Sequence, residues 1–201
     1  MECIVITGGS GFLGSYFCKE FSKNYKVICV DIKFKNNFLS KNIDRISCNI
    51  SNVNEVKKKL NYLKKYKKIH LINNAAVDSV PVSSNNNLSK DNLSNQMMVS
   101  FIGTKNVTEF IGSLMCKRKF GSIINIGSDL SVIAPNQEIY SGVYKNFIKS
   151  LDYSVAKHGL VGLNKYYASL FAKYNIRVNM VSPAPIMNKK KSKLIKNLIN
   201  L

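Results

Sequence analysis

Thr7-Gly8-Gly9-Ser10-Gly11-Phe12-Leu13-Gly14 follows directly on the apolar run Cys3 to Thr7 and leads into a helical pattern that opens at Phe12. Glycines between a strand and a helix allow a tight turn, close approach of the backbone to a pyrophosphate, and close packing of helix on strand. The helix N-terminus then presents free N–H groups and the positive end of its dipole to the phosphates. Gly8, Ser10, Gly11, Phe12, Leu13 and Gly14 are therefore candidate dinucleotide contacts. The next apolar run, Lys26 to Ile32, contains Asp31 near its end, 17 residues beyond Gly14. An acidic side chain there accepts hydrogen bonds from the adenosine ribose hydroxyls and repels a 2′-phosphate. This favours NAD; Lys33 and Lys35 just beyond leave room for NADP. The competing reading of Asp31 is a plain strand-end turn.

Outward from the loop, β-like runs at Arg45 to Ile50, Ile69 to Asn73, Ser122 to Ile126 and Arg177 to Val181 continue the series. They are short and nearly continuous in Ile, Val, Leu or Cys, as strands covered on both faces are. Helical patterns separate them, at Phe12 to Lys23, Val53 to Tyr66, Leu93 to Cys116 and Tyr153 to Tyr174. Strand and helix in alternation predict right-handed crossovers and an α/β fold, a doubly wound parallel sheet in three layers. Three segments break the alternation: polar Ser83 to Asn95, the insert Asp129 to Asp152, and Asn188 to Leu201. In the last, a Lys run precedes an amphipathic end. One domain over residues 1–187 with a Lys-rich tail over 188–201 is expected.

The 201 residues carry 30 Lys+Arg against 11 Asp+Glu, a formal charge of +19, with 45% hydrophobic and 20% charged residues. This is too apolar for a disordered chain, and no apolar run approaches the roughly 18 residues of a membrane span. The charge suggests nucleic acid, but 27 of the 30 basic residues are Lys, and readers of phosphates and bases favour Arg. The charge is read as compositional drift on a solvated surface, with no nucleic-acid partner. Five Cys form no CxxC pair and only two His are present, so neither a disulfide framework nor a metal site is expected. The N-terminus has no basic stretch ahead of an apolar one, so no cleavable signal is expected and a cytoplasmic address follows.

Downstream, Ser128 closes the fifth apolar run, and Tyr153 and Lys157 share one face of the last long helix at i, i+4. A free Tyr has a pKa of about 10, and ionising it near neutral pH costs roughly 4 kcal/mol. One ammonium about 4 Å away at an effective dielectric of about 20 returns a similar amount. Lys157 would thus make Tyr153 a usable general acid and base, and Ser128 would donate a hydrogen bond to a substrate oxygen as charge develops on it.

Six motifs in order carry a resemblance: TGGSGFLG, Asp31, Asn73-Asn74-Ala75-Ala76, Asn125-Ile126-Gly127-Ser128, Tyr153-Ser154-Val155-Ala156-Lys157 and Arg177-Val178-Asn179-Met180-Val181-Ser182-Pro183. Together they are similar to the short-chain dehydrogenase/reductase superfamily over nearly the whole chain. The resemblance implies a Rossmann-like domain binding NAD(P) and interconversion of a ketone and a secondary alcohol. It also implies that Lys157 holds the nicotinamide ribose and that the two long helices pair in a homodimer. By the same resemblance Asn49, Ile50, Asn74, Ala75, Ala76, Pro183 and Ile186 join Tyr153 and Lys157 in cofactor binding, and Ser100 takes the place of the catalytic Asn. Asn49 itself stands where the family has an Asp facing adenine. TGxxGxxG and the long step from Ser128 to Tyr153 look like the extended, sugar-nucleotide branch, and Tyr153 to Pro183 look like the single-domain branch. The small-molecule carbonyl or alcohol substrate is accordingly sugar-derived in this reading. Relative to the family the chain stops before a substrate loop, a helix and a seventh strand, so the sheet is expected to lack its last strand. Two alternatives stand beside the oxidoreductase: a dinucleotide-binding remnant without turnover, and an enzyme like the sugar-nucleotide epimerases and dehydratases.

Overall fold

Each apolar run becomes a strand. β1 (Glu2–Thr7), β2 (Lys26–Asp31), β3 (Ile43–Ser47), β4 (Lys68–Asn73), β5 (Gly121–Ile126) and β6 (Ile176–Val181) form one sheet in the order β3-β2-β1-β4-β5-β6. All neighbours are parallel. This computed structural model describes residues 1–34, 40–78, 95–143 and 147–186, with Asn197 and Ile199. Most of Ser83 to Asn95, Lys35, and the expected boundary at 187/188 fall outside the described residues.

The period of two along the strands divides the core. Ile28, Val5, Leu71, Ile123 and Val178 stand in register across five strands and are all buried on one face. Against them pack Val56 of α2 (Val53–Lys59), Val107, Ile111 and Met115 of α3 (Thr104–Arg118), and Leu160 and Phe171 of α4 (Leu151–Ala172). The opposite face holds a smaller cluster, in which Ile4, Ile6, Val27, Cys29 and Ile72 meet Cys18 of α1 (Phe12–Phe21). β1 and β2 are buried on both sides as expected, whereas β6 alternates buried and exposed along Ile176 to Met180. It is the last strand among the described residues and has a neighbour on one side only.

Local packing overrides three expected helix boundaries. The pattern Val53 to Tyr66 breaks at Leu60 into a 3-10 turn, Asn61–Lys65. The threefold period of that turn aligns Leu60, Leu63 and Tyr66, all fully buried. The pattern beginning at Leu93 has a π-helical stretch, Met97–Gly103, before α3. The wide turn carries Gly103 against Ile50, where a Cβ would lie 2.6 Å from the Ile50 side chain. Finally, α4 begins at Leu151 and not at Tyr153, because the Ser150 hydroxyl accepts a bond from the Tyr153 N–H and caps the helix.

Candidate active site

The strand order reverses between β1 and β4, and the loops at the carboxyl ends of the strands bound a crevice there. Its larger chamber, about 610 Å³, is lined by Gly8, Gly11, Phe12 and Leu13 after β1, Asp31 at the end of β2, Asn49 and Ile50 after β3, and Asn74, Ala75 and Ala76 after β4. Ser10 and Gly14 are not among its lining residues. Gly8 has a left-handed φ of +62°, and a Cβ there would meet Ala75 Cα at 2.7 Å. A Cβ on Gly14 would come within 2.1 Å of Gly8 O. The loop is therefore a cradle that side chains would fill. At its floor α1 starts from Gly11 with no side-chain cap and no acidic residue in its first turn. Its leading N–H groups thus have no side chain of their own to satisfy them. These features fit a dinucleotide.

Of the two readings of Asp31, the strand-end turn is present, and a tie to the glycine loop joins it. Its Oδ1 accepts from the Ile32 and Lys33 N–H groups at 2.7 and 3.4 Å, forming the strand-end turn, and its Oδ2 accepts from Ser10 N at 2.9 Å. The carboxylate thus ties β2 to the glycine loop while lining the chamber. Two further ties were missed in the sequence. The Thr7 hydroxyl accepts from the N–H groups of Asn74 and Ala75, at 3.0 and 3.1 Å, and the Asn74 side-chain amide donates back to Thr7 O and Gly8 O.

A second chamber of about 350 Å³ adjoins the first, sharing Phe12, Leu13, Asn74, Ala76 and Asp78 as walls. Ser128, Tyr153, Lys157, Pro183 and Ile186 converge in it, contributed by the segment after β5, by α4 and by the segment after β6. The Ser128 hydroxyl donates to Asp129 Oδ1 at 2.8 Å and accepts from Leu130 N at 3.2 Å. Lys157 donates from Nζ to Ile126 O at 2.9 Å and is almost fully buried. That burial pushes its ammonium down to about 8, with Asp78 opposing the fall and Lys149 adding to it.

The expected electrostatics of Tyr153 need correcting. Burial is the largest influence and holds the phenol above its ordinary value of 10.0; a hydrogen bond with Ser128 pulls it down, and Asp78 and Asp129 push it up. Lys157 Nζ lies 5.7 Å from the ring centroid and spends a proton on Ile126 O. The simple ammonium–phenol estimate left out the loss of water around the ring. Ser100, expected in the place of the catalytic Asn, is buried. It lies in the π-helical stretch, its Oγ accepts from Val77 N at 3.2 Å, its carbonyl accepts from the Thr104 hydroxyl at 2.9 Å, and it forms no part of the Tyr153 chamber. Instead the chamber contains a Lys149–Asp78 ion pair that the sequence did not reveal.

The depressed Lys157 pKa has a stability consequence. Its folded value lies below the ordinary 10.5, so the charged form costs stability at every pH below about 8, and the cost fades as pH rises from there towards 10.5. Lys157→Met is expected to stabilise the cofactor-free protein at pH 7 by up to about 3 kcal/mol, with the gain vanishing near pH 10.5. Thermal melts across that range check it.

The sequence model described as "short chain dehydrogenase" matches residues 2–197. A 3-oxoacyl-[acyl-carrier-protein] reductase FabG of Buchnera aphidicola is 28% identical over 193 residues, covering 90% of this chain and 72% of that protein. A (21S)-21-acetoxyl-apo-melianone synthase SDR of Melia azedarach is 29% identical over 187 residues, with 89% of this chain and 65% of that protein covered. The chain thus spans about two thirds of the length of these relatives. Among solved structures, a short chain dehydrogenase from Leptospira borgpetersenii with bound NAD+ superposes with a TM-score of 0.85 at 27% identity, covering 99% of this chain and 77% of that one. A 4-hydroxyisoleucine dehydrogenase complexed with NADH gives 0.78 at 26%, covering 94% and 78%. A family match from residue 2 to residue 197, on the strand order and crevice just described, places the chain in the short-chain dehydrogenase family.

Proposed function

We propose that this protein is an NAD-dependent oxidoreductase that interconverts a ketone and a secondary alcohol. The observation that carries the reading is the meeting of Ser128, Tyr153 and Lys157 in a chamber that opens on the glycine-loop crevice through shared walls. The Leptospira relative with NAD+ and the dehydrogenase complexed with NADH support the cofactor class.

The free N–H groups at the start of α1 hold the pyrophosphate, and Asp31 accepts from the adenosine ribose. Lys157 bonds the second ribose and steadies the phenolate of Tyr153 as it forms. When bound, the nicotinamide supplies or takes up the hydride. Tyr153 gives the proton to the substrate oxygen in reduction and receives it in oxidation. Ser128 turns its hydroxyl from Asp129 to that oxygen and stabilises the charge developing there. The carbonyl substrate is sugar-derived in this proposal, matching the polar rim that Asp78, Asp129 and Lys149 give the chamber. Carbonyl-dependent oxidation of NADH by the purified chain tests the reading. Tight NADH binding with no carbonyl reduced across a broad panel, sugar-derived ketones included, would contradict it.

Asp31 sets the cofactor preference. A lost hydrogen bond to a charged group is worth about 1.5–3 kcal/mol, so Asp31→Ser is expected to weaken NADH binding roughly 10- to 150-fold. NADPH binding should strengthen, because the repulsion of the 2′-phosphate goes with the carboxylate. Equilibrium titrations with both dinucleotides decide it.

The proposal extends to a homodimer through the outer faces of α3 and α4, where Tyr166 is 63% and Leu170 41% exposed. It extends also to a cytoplasmic location, in keeping with five free cysteines, four of them buried. Among the described residues no helix is long and apolar enough to cross a membrane.

A further inference from the structure

Lys149 stands four residues before Tyr153, in the segment leading into α4, and its side chain is only 9% exposed. Its backbone is fixed by one side chain: Gln137 Oε1 accepts from Lys149 N at 2.9 Å, and Gln137 Nε2 donates to Lys149 O at 3.4 Å. The next residue, Ser150, caps α4 and donates to buried Gln96 at 3.1 Å. So anchored, the Lys149 ammonium lies 3.9 Å from the centroid of the Tyr153 ring, closer than the 5.7 Å of Lys157. It also donates to both carboxylate oxygens of Asp78, at 2.5 and 2.6 Å, across a sequence separation of 71. Asp78 is half exposed and walls both chambers.

We infer that Lys149 is a positioning residue for Tyr153, a second cation that holds the ring and favours its phenolate, and that Asp78 sets how strongly it does so. The inference rests on the reading of Tyr153 as general acid and base. An ammonium seated on a half-buried aromatic face is attracted by the ring quadrupole, and it gains more when the ring carries the phenolate charge. A unit charge about 5 Å away at an effective dielectric of about 20 shifts a pKa by about two units. The carboxylate bonded to that ammonium offsets much of this, leaving a net effect of about one unit. The other ionisable or hydrogen-bonding groups facing Tyr153 are Lys157 on α4, Asp129 and Ser128 after β5, and Tyr140 of the Gln137–Tyr140 turn. Asp152 precedes it on α4, with its own carboxyl held up by burial. Of these Lys157 also responds, its ammonium forming more readily without Lys149 and less readily without Asp78; each indirect effect opposes the direct one on Tyr153, so opposite signs in the direct directions isolate the pair.

The test is the ionisation of Tyr153 in the cofactor-free protein, followed by fluorine NMR after incorporation of 3-fluorotyrosine, with its signal identified by its loss in Tyr153→Phe. Lys149→Met is expected to raise the midpoint by about two pKa units, roughly a hundredfold weaker ionisation, because Asp78 stays behind unneutralised. Asp78→Asn is expected to lower it by about one unit, and Lys149→Arg to keep it near the parent value. The pH profile of kcat should move in the same directions in any variant that turns over. Midpoints that move the same way for Lys149→Met and Asp78→Asn, or that stay within about 0.3 unit of the parent in both, would reduce the pair to a structural tie. Because the titration needs no turnover, opposite shifts without carbonyl reduction support the positioning role while overturning the oxidoreductase reading. Turnover with unmoved midpoints does the reverse.

Discussion

Tyr153→Phe is expected to lower carbonyl turnover by about 10²- to 10⁴-fold, the usual range for a positioned acid or base, while NADH binding stays within about twofold. The change removes one oxygen from a ring whose place is fixed independently. Ser150 caps the helix beneath it, and Lys149 and Lys157 remain beside it. Lys157 keeps its bond to Ile126 O, so the part of the pocket proposed to hold the second ribose is left intact. Loss of kcat without loss of dinucleotide affinity therefore reports the proton transfer alone. Steady-state kinetics and a fluorescence titration with NADH check the two halves. Full activity in the variant would remove Tyr153 from the chemistry.

The second large effect is expected at Gly14. An added Cβ would lie 2.1 Å from Gly8 O and 2.7 Å from Gly9 Cα, and both are backbone atoms of the loop proposed to hold the dinucleotide. Neither can yield without moving α1 away from β1. Gly14→Ala is expected to cost about 1–3 kcal/mol in stability, as overpacking does. For a chain of this size that corresponds to a fall in Tm of about 2–4 °C per kcal/mol. NADH binding should weaken at least tenfold, since the N–H groups that face the phosphates move with the helix. Gly162 on α4 is the control, because a Cβ there meets nothing within 4 Å and lies in a helix interior that prefers Ala. Melts and NADH titrations on the two variants separate a local clash from a general intolerance of substitution.

Much of this was legible in the sequence because it is written in short-range patterns. Four glycines at fixed offsets after an apolar run specify a loop that only a strand-to-helix turn can use, and all six strands lie within three residues of the apolar runs that mark them. Ser128, Tyr153 and Lys157 were found because a strand end and an i, i+4 spacing fix where their side chains go. What escaped depends on distant partners. Lys149 is one of 27 lysines in a chain whose basic residues read as solvent-facing, and its carboxylate lies 71 positions earlier. Ser100 stands where the family motif has its Asn, and the Val77 N–H its hydroxyl accepts from is a partner that no motif spacing reveals. The shift in Tyr153 was misjudged because a sequence gives the charges near a group and not the water taken from it.

The most direct test of the central claim is the fate of a deuterium label. The purified chain, given NADH deuterated at the nicotinamide C4 position and a panel of ketones including sugar-derived ones, is expected to yield a secondary alcohol bearing deuterium on its carbinol carbon. The alcohol should form in equal amount to the NADH consumed, and its formation should stop in Tyr153→Phe. NADH that binds but keeps its label in the presence of every ketone, or an alcohol that forms equally fast without Tyr153, would contradict the account.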